Sequence, residues 1–557
     1  MNGLTREGAL EQLTAKGSDY EIIEQDIEGV PIRTFANAPR SLSALFKENR
    51  SDETFYVYAD ERYSYNQMYA IAARLATKLQ TDYGIVKGDR VAISMRNYPE
   101  WIASFTAVTS IGAIAVAMNA WWEADEISQG LHDCGAKVMI ADQERLDRLA
   151  QIEPLSIAVI AVRPQNNHHL GTEFNSLVNQ LPTDTPMPDS DINPEDPATI
   201  FYTSGSTGFP KGAIANQRNI LSALFSWELD VHASMLINDI EPPQLDYQSA
   251  TLLAVPLFHV TGSHAIYLQA YRAQRKIVAM YKWDPDKAAH LIEAEQIASF
   301  IGPAAMTADL VQAASRTQRD LSTLLSVGGG GAPRAPEQVK DIDDTFETAL
   351  PGTGWGMTET NAIGTGIGGQ DYLDRPASSG RVSAVLDAKI VDEHGVDLPR
   401  GSRGELLIRG ASVIQGYWQR PEANKETFAE GWMRTGDVAY FDADGFLFIV
   451  DRIKDLIIRG GENIGCGEVE AALLEHPLIL EASVYAVPDE RLGEEVATTV
   501  YAEQALDEAG LRIFLNERLA KFKIPKYIQF TPENLPRMAS GKIFKRQLRD
   551  TTIAAMS

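Results

Sequence analysis

The sequence predicts an α/β protein: a large N-terminal domain of parallel-rich sheets with helices, joined by a β-rich subdomain and a small α+β C-terminal domain. Three observations predict it. Helix-like and strand-like segments alternate through the first two thirds of the 557 residues, strands dominate from Gly404, and the pattern changes again after Asp451. The boundaries follow as 1–451 and 452–557, the second piece having the size of a small domain.

Ser64 to Leu79 reads as a helix with Ser64 as its N-cap, and Arg90 to Ser94 as a strand. Trp101 to Trp122 has no charged residue and is long enough for a membrane span. Its Ala, Ser and Thr content, with Gly112 and Asn119, favours a buried helix to about Ile111, a turn, and an inner strand from Ala113 to Met118. No transmembrane segment is expected. Val138 to Ala141 is another short strand, and the Pro-rich stretch from Leu181 to Asp196 is a surface connection before a strand at Ala198 to Tyr202. Glu405 to Arg409 and Phe446 to Val450 read as strands, Gly467 to Leu474 as a helix, Ser483 to Val487 as a strand and Ala509 to Leu519 as a helix. The charge run from Glu481 to Glu495 reads as a solvated face.

Fifty Lys and Arg against 76 Asp and Glu leave a net charge of −26, which argues against a nucleic-acid partner. An anionic ligand must therefore meet local donors. Cys134 and Cys466 stand far apart with no C-x-x-C partner, so neither a disulfide framework nor a thiolate zinc site is expected. A reducing, cytoplasmic location fits, and neither terminus carries a targeting signal.

The strongest local signal is Phe201-Tyr202-Thr203-Ser204-Gly205-Ser206-Thr207-Gly208-Phe209-Pro210-Lys211-Gly212. Small residues let successive backbone N–H groups approach an anion, hydroxyls add donors, and Lys211 adds a mobile positive charge. A P-loop NTPase would need Gly-Lys-Ser/Thr, whereas Pro210 precedes Lys211 and Gly212 follows it. That excludes the Walker reading and leaves a polyphosphate loop of another kind, or a Gly/Ser-rich surface loop.

This loop resembles the phosphate loop of the adenylate-forming superfamily, which includes acyl-CoA synthetases, firefly-type luciferases and peptide-synthetase adenylation domains. Further motifs follow in family order between about residues 50 and 550. They are Pro256-Leu257-Phe258-His259, Gly328 to Pro333, Thr353-Gly354-Trp355-Gly356-Met357-Thr358-Glu359, Arg434-Thr435-Gly436-Asp437, Asp451-Arg452-Ile453-Lys454-Asp455, Gly460-Gly461-Glu462-Asn463-Ile464, and Pro536-Arg537 through Gly541-Lys542.

The resemblance implies a nucleotide site made by Thr203 to Gly208, Lys211, Gly331-Ala332-Pro333, Gly354 to Met357, Asp437 and Arg452. Trp355 would offer its face to the purine, and Asp437 and Arg452 would hold the ribose. Glu359 would ligate Mg²⁺ as a hard oxygen donor, and Thr358, Glu359 and Lys542 form the implied catalytic set. Lys542 would stabilise charge as a carboxylate attacks the α-phosphate. The C-terminal domain is then mobile: it swings about Lys454, withdrawing Lys542 and bringing Gly460-Gly461 to a coenzyme A tunnel. His259, Val260, Ser263, Gly302, Gly329 and Gly330, with Phe258 and Gly328, are expected to line the acyl pocket. Cys466, where a proline is usual, reads as a structural filler, and Met538 replaces a usual threonine.

The implied reaction joins a carboxylic acid, fatty or otherwise apolar, to coenzyme A at the expense of ATP through an acyl-adenylate, releasing AMP and pyrophosphate. A ligase loading a carrier protein or another acceptor is the alternative on the same fold. A non-catalytic nucleotide sensor is disfavoured because Lys542 is present, and a P-loop ATPase predicts ADP and orthophosphate instead. A homodimer is left open.

Overall fold

The computed structural model describes residues 4–151, 157–165, 171–203, 210–241, 245–330, 334–460, 462–502, 504–537 and 543–556. Among them, two large sheets organise the chain up to Val382, and one of them adds an edge strand at Gly416–Tyr417. The eight-stranded sheet runs, in spatial order, Gly416–Tyr417, Gly212–Asn216, Pro197–Tyr202, Ile114–Ala117, Arg90–Ser94, Val138–Asp142, Ala158–Val162 and Thr172–Glu173. Its strands are parallel from Pro197–Tyr202 onward and antiparallel at Gly212–Asn216 and Gly416–Tyr417. The nine-stranded sheet has six parallel strands at its centre, in the order Leu350–Thr353, Ser326–Gly329, Ile297–Gly302, Ala250–Leu253, Lys276–Ala279 and Thr54–Tyr58. Parallel strands require crossovers, and helices supply them, which is why apolar runs such as Ile114–Ala117 are buried on both faces.

Local chemistry explains the element starts. The Tyr65–Thr81 helix begins at Ser64, whose hydroxyl accepts from Gln67 N while the Gln67 side chain accepts from Ser64 N, a reciprocal capping box. The uncharged stretch 101–122 is not one long helix. Pro99–Ser110 is helical with every residue buried, Gly112 turns the chain at φ 72°, and Ile114–Ala117 is a central strand. Gln217–Asn238, a 22-residue helix, is long and apolar enough to cross a membrane, but half of its apolar window is buried in the protein. Its charges are engaged internally: Asp230 pairs with Arg6 at 3.0 Å and Glu228 with Arg272 at 2.6 Å.

An antiparallel sheet of Leu386–Val391, Gly404–Gly410, Trp432–Phe441, Phe428–Ala429 and Leu447–Arg452 forms the β-rich part. The last sheet, built from Ile457–Arg459, Glu462–Ile464, Glu481–Asp489, Gly493–Tyr501 and Tyr527–Thr531, packs with the Cys466–Leu474 and Glu508–Asn516 helices into a separate smaller core. Two expectations are corrected here. The helix expected to reach Leu519 ends at Asn516. The Glu481 to Glu495 run is a solvated face only in part: Glu490 is exposed, but Ala482 to Tyr485 are buried and Glu495, 2 % exposed, pairs with Arg459.

Candidate functional site

A continuous open cleft of about 3430 Å³ separates the strand ends of the large sheets from the C-terminal elements. Tyr202 ends its strand at the cleft, held by hydrogen bonds from its hydroxyl to Asp133 Oδ2 (2.9 Å) and Gly130 O (3.1 Å). Thr203 N donates to Lys211 O at 2.9 Å, continuing the Tyr202–Gly212 pairing. The chain on either side of residues 204–209 is therefore pinned by sheet hydrogen bonds. Ser204, Gly205, Ser206, Thr207 and Gly208 lie outside the described residues, as do Gly331, Ala332, Pro333, Gly461, Met538 and Lys542.

The Lys211 ammonium stands 4.9 Å from the centre of the Tyr417 ring, and the hydroxyl of the same tyrosine donates to Glu359 Oε1 at 2.7 Å. Burial first, then the Glu359 carboxylate, push the Tyr417 phenol well above its usual range, so it remains a donor at every working pH. Glu359 sits on a short 3-10 turn, Thr358–Thr360, and is 6 % exposed. Behind the turn, Asn361 and Ala362 both adopt positive φ (56° and 67°), a strained reversal of the kind that marks functional sites. Gly354 and Gly356 meet that reversal so closely that a Cβ on either would lie 2.4 Å from a backbone carbonyl oxygen, Thr365 O or Ala362 O.

Glu359 lines the cleft, and its Oε2 meets no donor among the described residues. No cluster of three or more His, Cys, Asp or Glu able to hold a metal occurs among the described residues. One hard oxygen ligand suits a Mg²⁺ ion that brings phosphate oxygens and water as its other ligands.

The Trp355 indole Nε1–H donates to Asp437 Oδ2 at 2.7 Å, and Arg452 Nε lies 2.6 Å from Asp437 Oδ1. Adjacent strands bring the pair together, with Asp437 directly opposite Arg452. Thr358, Met357, Gly354 and Gly356 complete this wall.

The His259 ring lies tilted against Phe258 (ring centres 4.8 Å apart) and Trp121 (6.4 Å). It lines the cleft with Val260, Gly328, Gly329 and Gly330. Ser263 and Gly302 do not reach it. The Ser263 hydroxyl is turned inward to His259 O (3.0 Å) and His264 Nδ1 (2.9 Å), and Gly302 is covered by the Phe300 ring and Met306. Two residues that motif spacing did not mark hold this region. Asn97 Oδ1 accepts from Leu257 N (3.0 Å) while its amide donates to Val255 O and Met280 O. Arg96 lies between the Trp121 and Tyr281 rings at 5.1 and 4.9 Å.

On the opposite side, Arg537 and Ile543, the described residues on either side of 538–542, form an antiparallel bridge, and both line the cleft. Gly460, at φ 59° with its N–H on Leu492 O, does not. Lys454 occupies the exposed turn between Arg452 and Ile457. Asp451 accepts from the backbone N–H groups of Cys466 and Gly467, fixing the start of the Cys466–Leu474 helix next to that turn. Cys466 is 1 % exposed, its thiol donating to Asp455 O, and burial pushes the thiol up, as expected of a filler.

A model of the AMP-binding enzyme family matches residues 44–418, and one of the AMP-binding enzyme C-terminal domain matches 468–542. The chain belongs to the AMP-binding enzyme family. It is an AMP-forming acid–thiol ligase of the adenylate-forming superfamily. Long-chain-fatty-acid–CoA ligase FadD13 of Mycobacterium tuberculosis is 32 % identical over 88 % of this chain and 93 % of its own. The o-succinylbenzoate CoA synthetase MenE of Bacillus subtilis, solved with its acyl-adenylate, superposes with TM-score 0.79 at 25 % identity over 92 % and 98 % of the chains. The amide bond synthetase McbA of Marinactinospora thermotolerans superposes at 0.80 and 25 %, covering 92 % and 99 %.

Proposed function

We propose that this ligase adenylates a carboxylic acid with an apolar body and transfers the acyl group to coenzyme A. The observation that carries the reading is Tyr417, which joins the phosphate-loop lysine and the Glu359 carboxylate on one side chain, beside the Trp355–Asp437–Arg452 group. A carboxylate is a poor electrophile because resonance and charge oppose attack, and transfer of the adenylyl group makes its oxygen a leaving group. Lys211 and the neck of the loop meet the outer phosphates, Asp437 and Arg452 take the ribose, and Trp355 takes the base. Mg²⁺ held by Glu359 would neutralise phosphate charge. His259 and Val260 form the acyl wall with Ile301 and Met306, whose apolar surfaces face the cleft. They orient the acid for in-line attack, and positioning of that kind accounts for much of the rate in such a reaction.

Lys542 is assigned to the charge that develops at the α-phosphate. Arg537 and Ile543 line the cleft and Gly460 does not, which supports an adenylating arrangement of residues 452–557. Rotation at Lys454 then exchanges the two segments. The likeness to an amide bond synthetase supports one alternative, in which an amine or carrier thiol takes the acyl group. The test separates the half-reactions. Lys542→Ala should abolish adenylate formation and largely spare thioester synthesis from supplied acyl-AMP, while omission of coenzyme A should stall AMP release by the native enzyme. Equal loss of both half-reactions contradicts the lysine's role, and AMP release indifferent to coenzyme A contradicts the acceptor.

A further inference from the structure

We infer that the acid carries a second anionic group, a carboxylate remote from the one adenylated, and that Arg334 receives it. The inference rests on the ligase reading above and narrows its substrate class.

Arg334 lines the cleft yet is only 8 % exposed. Its guanidinium lies against the Cα of Gly329, on the glycine segment of the acyl wall. A Cβ at position 329 would stand 2.6 Å from Arg334 Nη2 and 2.9 Å from Cζ, so the glycine makes the room that the guanidinium fills. The hydrogen-bond partners are neutral: Nη1 donates to Gly352 O and Nη2 to Thr307 Oγ1, each at 3.2 Å. The Nε–H is buried and meets no acceptor among the described residues. Among those residues, the one titratable neighbour that acts on Arg334 is the Tyr372 phenol, itself protonated because burial raises it.

A buried guanidinium with no carboxylate is costly, and burial pushes Arg334 below its usual value. The fully buried Arg145 shows the ordinary solution, with Asp142 at 3.3 Å and Glu144 at 2.5 Å. Among the described residues nothing comparable accompanies Arg334. The missing charge is one that a ligand can supply, since the planar fork presents paired donors matched to a carboxylate. Val260, Ile301 and Met306 form apolar wall in the same cleft, so the substrate has an apolar body between two acidic ends.

Acid-dependent exchange of pyrophosphate into ATP, measured on the full-length protein with matched pairs, tests this. Suitable pairs are octanoate with octanedioate, decanoate with decanedioate, and phenylpropanoate with carboxyphenylpropanoate. The expected result is a preference for the diacid in at least one pair, with Arg334→Met lowering its kcat/KM relative to the matched monoacid by about ten- to a hundredfold, the range for a hydrogen bond between charged groups. Gly329→Ala, whose Cβ displaces the guanidinium, should erode the same ratio. Preference for the monoacid in every pair, or a ratio that neither substitution moves, overturns the inference and leaves the ligase reading standing. Exchange with no acid at all overturns both. Should Arg334→Met fail to fold, the native enzyme's preferences and Gly329→Ala decide.

Discussion

Tyr417→Phe removes one oxygen and leaves a ring. In the native protein that oxygen donates at 2.7 Å to Glu359 Oε1, on a carboxylate only 6 % exposed. The backbone pairing of Tyr417 with Ala213 does not involve the hydroxyl, and the ring remains available to Lys211. The substitution therefore isolates one hydrogen bond to a buried charge, worth about 1.5–3 kcal/mol, or about ten- to 150-fold. Glu359 would then be less firmly oriented toward the magnesium-bound phosphates. The expected outcome is a drop of about that size in kcat/KM for pyrophosphate exchange, partly relieved by excess magnesium, with the thermal midpoint changed little. Exchange within twofold of native at every magnesium concentration, in a folded variant, would refute the reasoning that Tyr417 positions the metal-binding carboxylate.

Trp355→Phe keeps an aromatic face but deletes the 2.7 Å bond to Asp437; KM for ATP should rise about tenfold or more while the KM for the acid holds, measured by initial rates. His264 is fully buried, and burial lowers its imidazole to about 3. Its folded value lies below the unfolded one, so the unfolded chain takes up a proton first and stability falls as pH drops from about 6.5 toward 3, by up to about 1.4 kcal/mol per pH unit. Urea midpoints at pH 7 and pH 5 should show His264→Gln losing about 2 kcal/mol less than the native protein. Both cysteines are buried with their thiols pushed up, Cys134 to about 11, so a thiol reagent should label neither in the native state and both in denaturant.

Much of this was legible because short-range chemistry decides it. Ser64 with Gln67 three residues on announces a helix start, and Gly112 after an apolar run announces a turn into a central strand. The ordered motifs placed Asp437 and Arg452 in one site, and the antiparallel pairing of their strands provides the physical link. Illegible parts depend on long-range contacts. Tyr417 lies 58 residues from Glu359 and reaches it only through an edge strand. Asn97, 160 residues before Leu257, holds the loop that bears His259. Ser263 and Gly302 were placed by position in the chain, which does not say which way a helix face or strand turns. The Glu481 to Glu495 run misled in part because its strands are packed on both faces, where Glu481 and Glu495 find arginine partners.

On this reading the cleft joins an organic acid to the innermost phosphate of ATP. Incubating the purified full-length protein with ATP, magnesium and radiolabelled pyrophosphate, with and without a broad mixture of mono- and dicarboxylic acids, tests it most directly. Label should enter ATP only when acid is present, and Lys542→Ala should lose that exchange. Label that never enters ATP, or enters equally without acid, contradicts it.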